Sequence, residues 1–262
     1  MLWANAASAQ DTGLKALQTG DEASAWQAVG RLDIAGRGFC TGALVAQDLV
    51  LTAAHCLFKA HSGERVDASE IEFLAGWRNG RASAYRGVRR TVVHGDYSYG
   101  GEVSGERVRN DLALIQLDQP IRNTAIIPFE TAKRPARGDQ VGIVSYGRDR
   151  SEVPALQEVC DVLANQGGVL VTSCPVDFGS SGAPIFTFQD GQAQIVSIVS
   201  AKAKVDGENV SFGTELHRPL ADLRAELAQG ASLFRKALPT ASQSTAGQRD
   251  RDTGAKFIRP GE

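Results

Sequence analysis

The strongest constraint on the fold is a series of short apolar and β-branched segments, punctuated by Gly, Asp and Asn at hairpin spacing. Residues 26–34, 39–45, 49–52, 71–74, 89–93 and 112–117 form a first set. Residues 140–146, 156–163, 168–173, 183–188, 194–200 and 209–215 form a second. Segments this short suit strands, and their even spacing argues for an all-β sandwich or a pair of barrels. Twenty-eight glycines against one methionine and three tryptophans suit a turn-rich β protein. A Pro- and Arg-rich stretch, residues 120–138, reads as the crossover between the two sets. No fixed short period is visible, which sets aside solenoids and propellers. Arg218-Pro219-Leu220 opens a helical pattern whose stripe of Leu220, Leu223, Ala225 and Leu227 is expected to stop at Gln229-Gly230.

Composition removes several function classes. With 262 residues the chain can bury a large core, and a formal net charge of −2 gives no field for nucleic acid or anionic membrane. No apolar run approaches the roughly 20 residues of a membrane-spanning helix. The four cysteines, Cys40, Cys56, Cys160 and Cys174, fall into two closely spaced pairs, although sequence alone leaves three pairings open. They form no Cys-x-x-Cys pattern and the histidines are scattered, so no metal is expected. No Gly-rich phosphate loop precedes a helix, and no cofactor is implied. Ala7-Ser8-Ala9 has the small-residue character of a signal cleavage site, while Met1-Leu2-Trp3-Ala4 is too short for an apolar leader. Residues 1–25 are therefore read as an N-terminal segment carrying a signal-peptide remnant.

Three motifs carry chemistry: Leu51-Thr52-Ala53-Ala54-His55-Cys56, Asn110-Asp111-Leu112-Ala113-Leu114-Ile115 and Gly179-Ser180-Ser181-Gly182-Ala183-Pro184. They offer a hydroxyl, an imidazole to take its proton and a carboxylate to orient the imidazole. A serine hydroxyl is a poor nucleophile until a base removes its proton during attack. Any one motif alone is weak, since Gly-x-Ser-Gly is usually a turn and a lone histidine is usually a surface residue. His61, His94 and His217 compete with His55, and Asp96 competes with Asp111. His55 follows an apolar strand ending and sits one residue before Cys56, and Asp111, unlike Asp96, precedes an apolar run.

The three motifs in the order His, Asp, Ser resemble the chymotrypsin-like serine protease family, over roughly residues 26–218. The resemblance implies two six-stranded antiparallel β-barrels with a short C-terminal helix. The first barrel then spans 26–120, the crossover 121–138, and the second barrel with its closing helix 139–228. Residues 229–262, polar and patternless, are read as a mobile tail. Gly254–Pro260 within it could dock on the barrel or in the cleft, though filler is the plainer reading. The resemblance further implies His55 as general base, Asp111 as its orienting acid and Ser181 as nucleophile, with the Gly179 and Ser181 amides as the oxyanion hole. Ser200 resembles the serine that backs the aspartate and starts the substrate-pairing strand. The resemblance implies a Cys40–Cys56 disulfide, the close spacing of Cys160 and Cys174 suits a second bridge, and oxidising compartments permit both.

Two departures from the animal trypsin pattern matter. Ser180 stands where trypsin-type zymogens keep an aspartate for the freed N-terminus, so an oxyanion site that needs no new amino terminus is expected. Ala183 replaces a glycine, and one extra methyl is expected to fit. Specificity is read from Pro175, Val176, Val199, Lys202 and Val210. No acid lies six residues before Ser181, and Asp177 is too close to substitute for one. The valines favour apolar or small side chains, Lys202 and Lys204 make acidic ones second, and basic ones rank last. The expected protein is a secreted or periplasmic, monomeric serine endopeptidase acting on peptide or protein substrates, with no nucleic acid or membrane partner. The alternatives are a catalytically silent protease-like binding module, or an esterase using the same serine. The esterase elbow Gly-x-Ser-x-Gly is absent, because Ala183 fills its last position.

Overall fold

Each of the predicted strand segments falls on a strand. The computed structural model describes residues 13–34, 38–205 and 207–236. In chain order these form β1 (Leu14–Ala16), α1 (Gly20–Ala23), β2 (Val29–Ile34), β3 (Gly38–Ala46), β4 (Leu49–Thr52), β5 (Ile71–Ala75) and β6 (Ala84–Val93). Then come α2 (Gly105–Asn110), β7 (Ala113–Leu117), β8 (Gln140–Gly147), β9 (Arg150–Gln166), β10 (Val169–Thr172), β11 (Pro184–Gln189), β12 (Gln192–Val205), β13 (Glu208–Glu215) and α3 (His217–Lys236).

Strands β2, β3, β4, β7, β6 and β5 close an antiparallel barrel in that order. Its strands alternate where one face meets water: Ile71 and Phe73 of β5 point into the core and Glu72 points out. β7 departs from alternation, with Ala113, Leu114 and Ile115 all buried, because α3 covers its outer face. In the second sheet the order is β9-β10-β13-β12-β11-β8, and pairing of β8 with β9 closes the ring. Closure pairs the backbone of both barrels and leaves few free edges. β1 adds outside this ring on β9, with Leu14 opposite Gln157 and Ala16 opposite Ala155. Residues 14–23, read from sequence as part of an N-terminal segment carrying a signal-peptide remnant, hold a strand and a helix capped by Thr19.

An apolar cluster runs from the first barrel through the junction, where Trp26, Phe129 and Phe186 pack with ring centroids 4.8–6.1 Å apart. The crossover is pinned on both sides. Phe129 donates its amide to Leu44 of the first barrel, and Ala132 donates to Ile195 of the second. α3 returns to the first barrel, burying Leu220, Leu223 and Leu227 against it, and Arg90 donates to the Leu227 carbonyl at 2.6 Å. The helix runs to Lys236 rather than stopping at Gln229-Gly230. A glycine inside a helix costs only about 1 kcal/mol relative to alanine, too little to end it. The tail read as mobile from 229 is therefore helical to 236. Ala7-Ser8-Ala9 and Gly254–Pro260 lie outside the described residues.

Both cysteine pairs form disulfides, Cys40–Cys56 with Cα atoms 6.3 Å apart and Cys160–Cys174 with Cα atoms 5.2 Å apart. Among the described residues no helix is long and apolar enough to cross a membrane.

Candidate active site

His55 leaves β4 in a tight turn (Ala54–Leu57) of the 3-10 type. The turn can pack this closely because Ala53 and Ala54 are small and fully buried, and because Cys56 is tied back to Cys40. Asp111 is the residue that ends α2, a short helix capped at its start by Ser104, and its amide donates to the Val108 carbonyl. The carboxylate is only 2% exposed, so it must find donors inside the protein. It finds three. The His55 amide donates to Oδ1 at 2.8 Å, His55 Nδ1 to Oδ2 at 2.7 Å, and Ser200 Oγ to Oδ2 at 2.5 Å. With Nδ1 donating, Nε2 of the neutral ring carries the lone pair. The nearby Tyr97 phenol is pushed up to about 12, first by burial and then by the Asp111 charge, so it adds no second anion there.

Ser181 sits in a turn between the second disulfide and β11, and lines one cleft together with His55, Asp111 and Ser200. The turn uses left-handed backbone at Gly179 (φ +96°) and Gly182 (φ +75°). Both positions also lack room. A Cβ on Gly182 would fall inside the contact distance of Thr52 Oγ1 and the Thr41 carbonyl, and one on Gly179 would meet the Phe39 ring. The absence of side chains lets the turn lie directly on the first barrel. Thr41 of β3 locks it there: its amide donates to the Ser181 carbonyl at 2.9 Å and its hydroxyl to the Gly179 carbonyl at 2.8 Å. Among the described residues the Gly179 and Ser181 amides make no hydrogen bond of their own. Ala183 is fully buried, so the extra methyl is absorbed by the second core.

A family model described as trypsin-like peptidase domain matches residues 40–194, more than half of the chain. The chain belongs to the trypsin-like peptidase family. Serine protease SP24D of Anopheles gambiae is 29% identical over 165 residues, covering 55% of this chain and 57% of that protein. Glutamyl endopeptidase of Bacillus licheniformis is 26% identical over 150 residues, covering 57% of this chain and 45% of that one. Mannan-binding lectin serine protease 1 of Mus musculus is 29% identical over 123 residues, 42% of this chain and 17% of that protein. The matches thus span well under two thirds of the length of these curated relatives. A solved structure of a Glu endopeptidase in complex with MPD overlays with a TM-score of 0.66 at 18% identity, covering 85% of this chain and 98% of that one, a likeness of fold.

Two hollows open beside the serine. One is walled by Val103, Val108, Val176, Val199 and Ala201, with Asp177, Phe178 and Lys202 at its side. Lys202 is not free: its ammonium is 2.7 Å from Asp177 Oδ1 and 4.5 Å from the Phe178 ring centre. That hydrogen bond, above all, holds the Asp177 carboxyl below its ordinary value. Of the predicted specificity residues, Val176, Val199 and Lys202 line this hollow, while Pro175 and Val210 do not. Position in sequence pointed at them, but Val210 is buried and lines neither hollow beside the serine. Val103, Arg107 and Val108 were missed, since they come from the first half of the chain. The second hollow is larger, about 850 Å³ against about 270 Å³, and includes Phe39, Phe58, Tyr99 and the Cys40–Cys56 bridge.

The competing residues are placed differently, although His61 lines the larger hollow. His61 and His217 are exposed. His94 and Asp96 face α3 beside Asp222 and Glu226. Ser200 lies inside β12, beside a register shift, rather than at its start. Cys40, His55 and Cys56 cluster closely, but both sulfurs are consumed by their disulfide, which leaves that trio one imidazole and no thiolate.

Proposed function

We propose that the protein is a serine endopeptidase that cleaves peptide bonds through an ester on Ser181. The observation that carries this reading is the buried Asp111 bonded to both the amide and Nδ1 of His55, with Ser181 in the same cleft. In the reaction Ser181 Oγ attacks the scissile carbonyl carbon while His55 Nε2 takes the hydroxyl proton. The carbonyl oxygen gains the negative charge and points at the Gly179 and Ser181 amides, two donors with no other partner among the described residues. Collapse breaks the C–N bond, and His55 returns its proton to the departing amine. Water then attacks the ester by the same path, releasing the acid and restoring Ser181. Asp111 keeps its charge throughout and favours the imidazolium that forms.

Valine walls support apolar or small side chains before the scissile bond. Engagement of Lys202 by Asp177 places acidic side chains second, although a relative bears the name glutamyl endopeptidase. Two disulfides support a secreted or periplasmic location. The test is intact-mass detection of a fluorophosphonate adduct on wild type, Ser181→Ala and His55→Ala. One adduct on wild type, absent from both variants, is expected. An unlabelled but folded and disulfide-bonded wild type would remove the reading.

A further inference from the structure

Outside the Asp111 centre, the second barrel buries a full charge next to the nucleophile turn. The Arg150 side chain, at the start of β9, is 14% exposed. Its nearest carboxylate, Asp149, is 4.0 Å away and 77% exposed, beyond hydrogen-bonding distance. Nη1 instead donates to the Ser145 carbonyl at 2.5 Å, and Nη2 to Ser145 Oγ at 3.1 Å and Ser180 Oγ at 3.3 Å. A buried cation with no hydrogen-bonded counter-ion is costly, and an apolar side chain could fill the same space without that cost. Its hydrogen bonds reach the residue that precedes Ser181.

Ser180 itself is fully buried, and its hydroxyl lies 3.2 Å from both Ser145 Oγ and the Tyr146 carbonyl. Its amide donates to Asp177 and its carbonyl accepts from Ala183, each at 3.0 Å. Rotation of the backbone at Ser180 re-aims the Ser181 N–H on one side and the Gly179–Ser180 peptide on the other, and the Gly179 N–H follows through the Gly179 torsions. Gly179 resists such rotation least, since a residue without Cβ moves between left- and right-handed backbone at little cost. We propose that Arg150 is a positioning residue: by fixing the Ser180 side chain inward through the Ser145 network, it keeps the Gly179 and Ser181 amides aimed at one point. The anchor is an internal side chain, so the turn takes its working shape without a new amino terminus. The inference rests on the serine peptidase reading.

The test uses the full chain as wild type, Arg150→Met, Arg150→Lys and Ser180→Ala. kcat and KM are measured on a chromogenic peptide, together with affinity for a peptide boronic acid, which forms a tetrahedral adduct, and for the product peptide. Complete loss of one oxyanion donor costs about 100- to 1,000-fold in kcat, and a loosened pair is expected to cost about 10- to 100-fold. Arg150→Met should show that fall with KM and product affinity nearly unchanged and boronate affinity falling in step with kcat. Arg150→Lys should recover part of it. Ser180→Ala, which keeps the guanidinium and serves if Arg150→Met does not fold, should move the same way by a smaller factor. Unchanged kcat in both Arg150→Met and Ser180→Ala would overturn the inference, as would losses that fall equally on KM and product affinity. A wild type that takes no fluorophosphonate removes the peptidase reading itself, whereas a labelled wild type with indifferent variants removes only the role of Arg150.

Discussion

The two barrels contribute to the cleft in opposite ways. The first presents His55 on a disulfide-pinned turn and Asp111 at the end of a capped helix, and every acceptor on that carboxylate is occupied. The second presents Ser181 on a turn with two left-handed glycines, held by Thr41 from the other barrel and by the Arg150 network from its own. An acid–base pair works when fully satisfied, so regular structure can hold it. A site for a developing oxyanion works only while its donors stay unsatisfied. Such a turn cannot be stabilised by its own amides and must be braced from outside.

That contrast can be broken by substitution, beginning with the largest effect. Asp111→Asn keeps the shape of the first barrel but holds the imidazole in the wrong tautomer, and kcat is expected to fall about 10,000-fold in steady-state hydrolysis. A fall under about tenfold would mean that the satisfied half of the site matters little. Removing either disulfide as a paired Cys→Ala variant is expected to cost ~3 kcal/mol in urea denaturation, because each closes a loop of similar length. Only loss of Cys40–Cys56 should also lower kcat, since only that bridge holds His55. Gly182→Ala drives a methyl toward Thr41 and Thr52, and about 1–3 kcal/mol of stability should be lost along with activity. A neutral result would show that the serine turn does not depend on its seat against the first barrel.

The smallest effect concerns preference. Asp177→Asn releases Lys202 beside the valine-walled hollow, and hydrolysis after acidic side chains should rise by up to about fivefold relative to neutral ones, the scale of an exposed ion pair. In the wild type the sign of the pH dependence follows from the lowered Asp177 value. The pair is complete above the ordinary carboxylate range and is lost as pH falls through that lowered value. The acidic-to-neutral rate ratio should therefore stay flat between about pH 5 and pH 8. A slope in that interval, in competition assays, would assign preference to another group.

The strand segments were legible because apolar runs bounded by turn residues have few other solutions. The motifs around His55, Asp111 and Ser181 stand out because each lies beside such a run, and the structure brings these three residues to one cleft. What was hidden depends on contacts between distant parts of the chain. Nothing near Thr41 or Arg150 in sequence marks them, because their partners lie 138 and 30 residues away. β1 has three residues and no alternation, and exists only because β9 offers an edge. α2 carried a faint signal, the capping Ser104 with Glu106 in its first turn. The valine-walled hollow was read from residues flanking the serine, and two of its five wall residues, Val103 and Val108, come from the other barrel.

The return of α3 to the first barrel has a consequence for assembly. The barrel that supplies His55 and Asp111 is complete in its strand pairing by Leu117, yet the outer face of β7 is covered by side chains a hundred residues later. During synthesis from the amino end that face stays bare until the whole second barrel has emerged. The first barrel is thereby tied to the helix that follows the second, and the cleft reaches its finished form only when residues through α3 are free to fold.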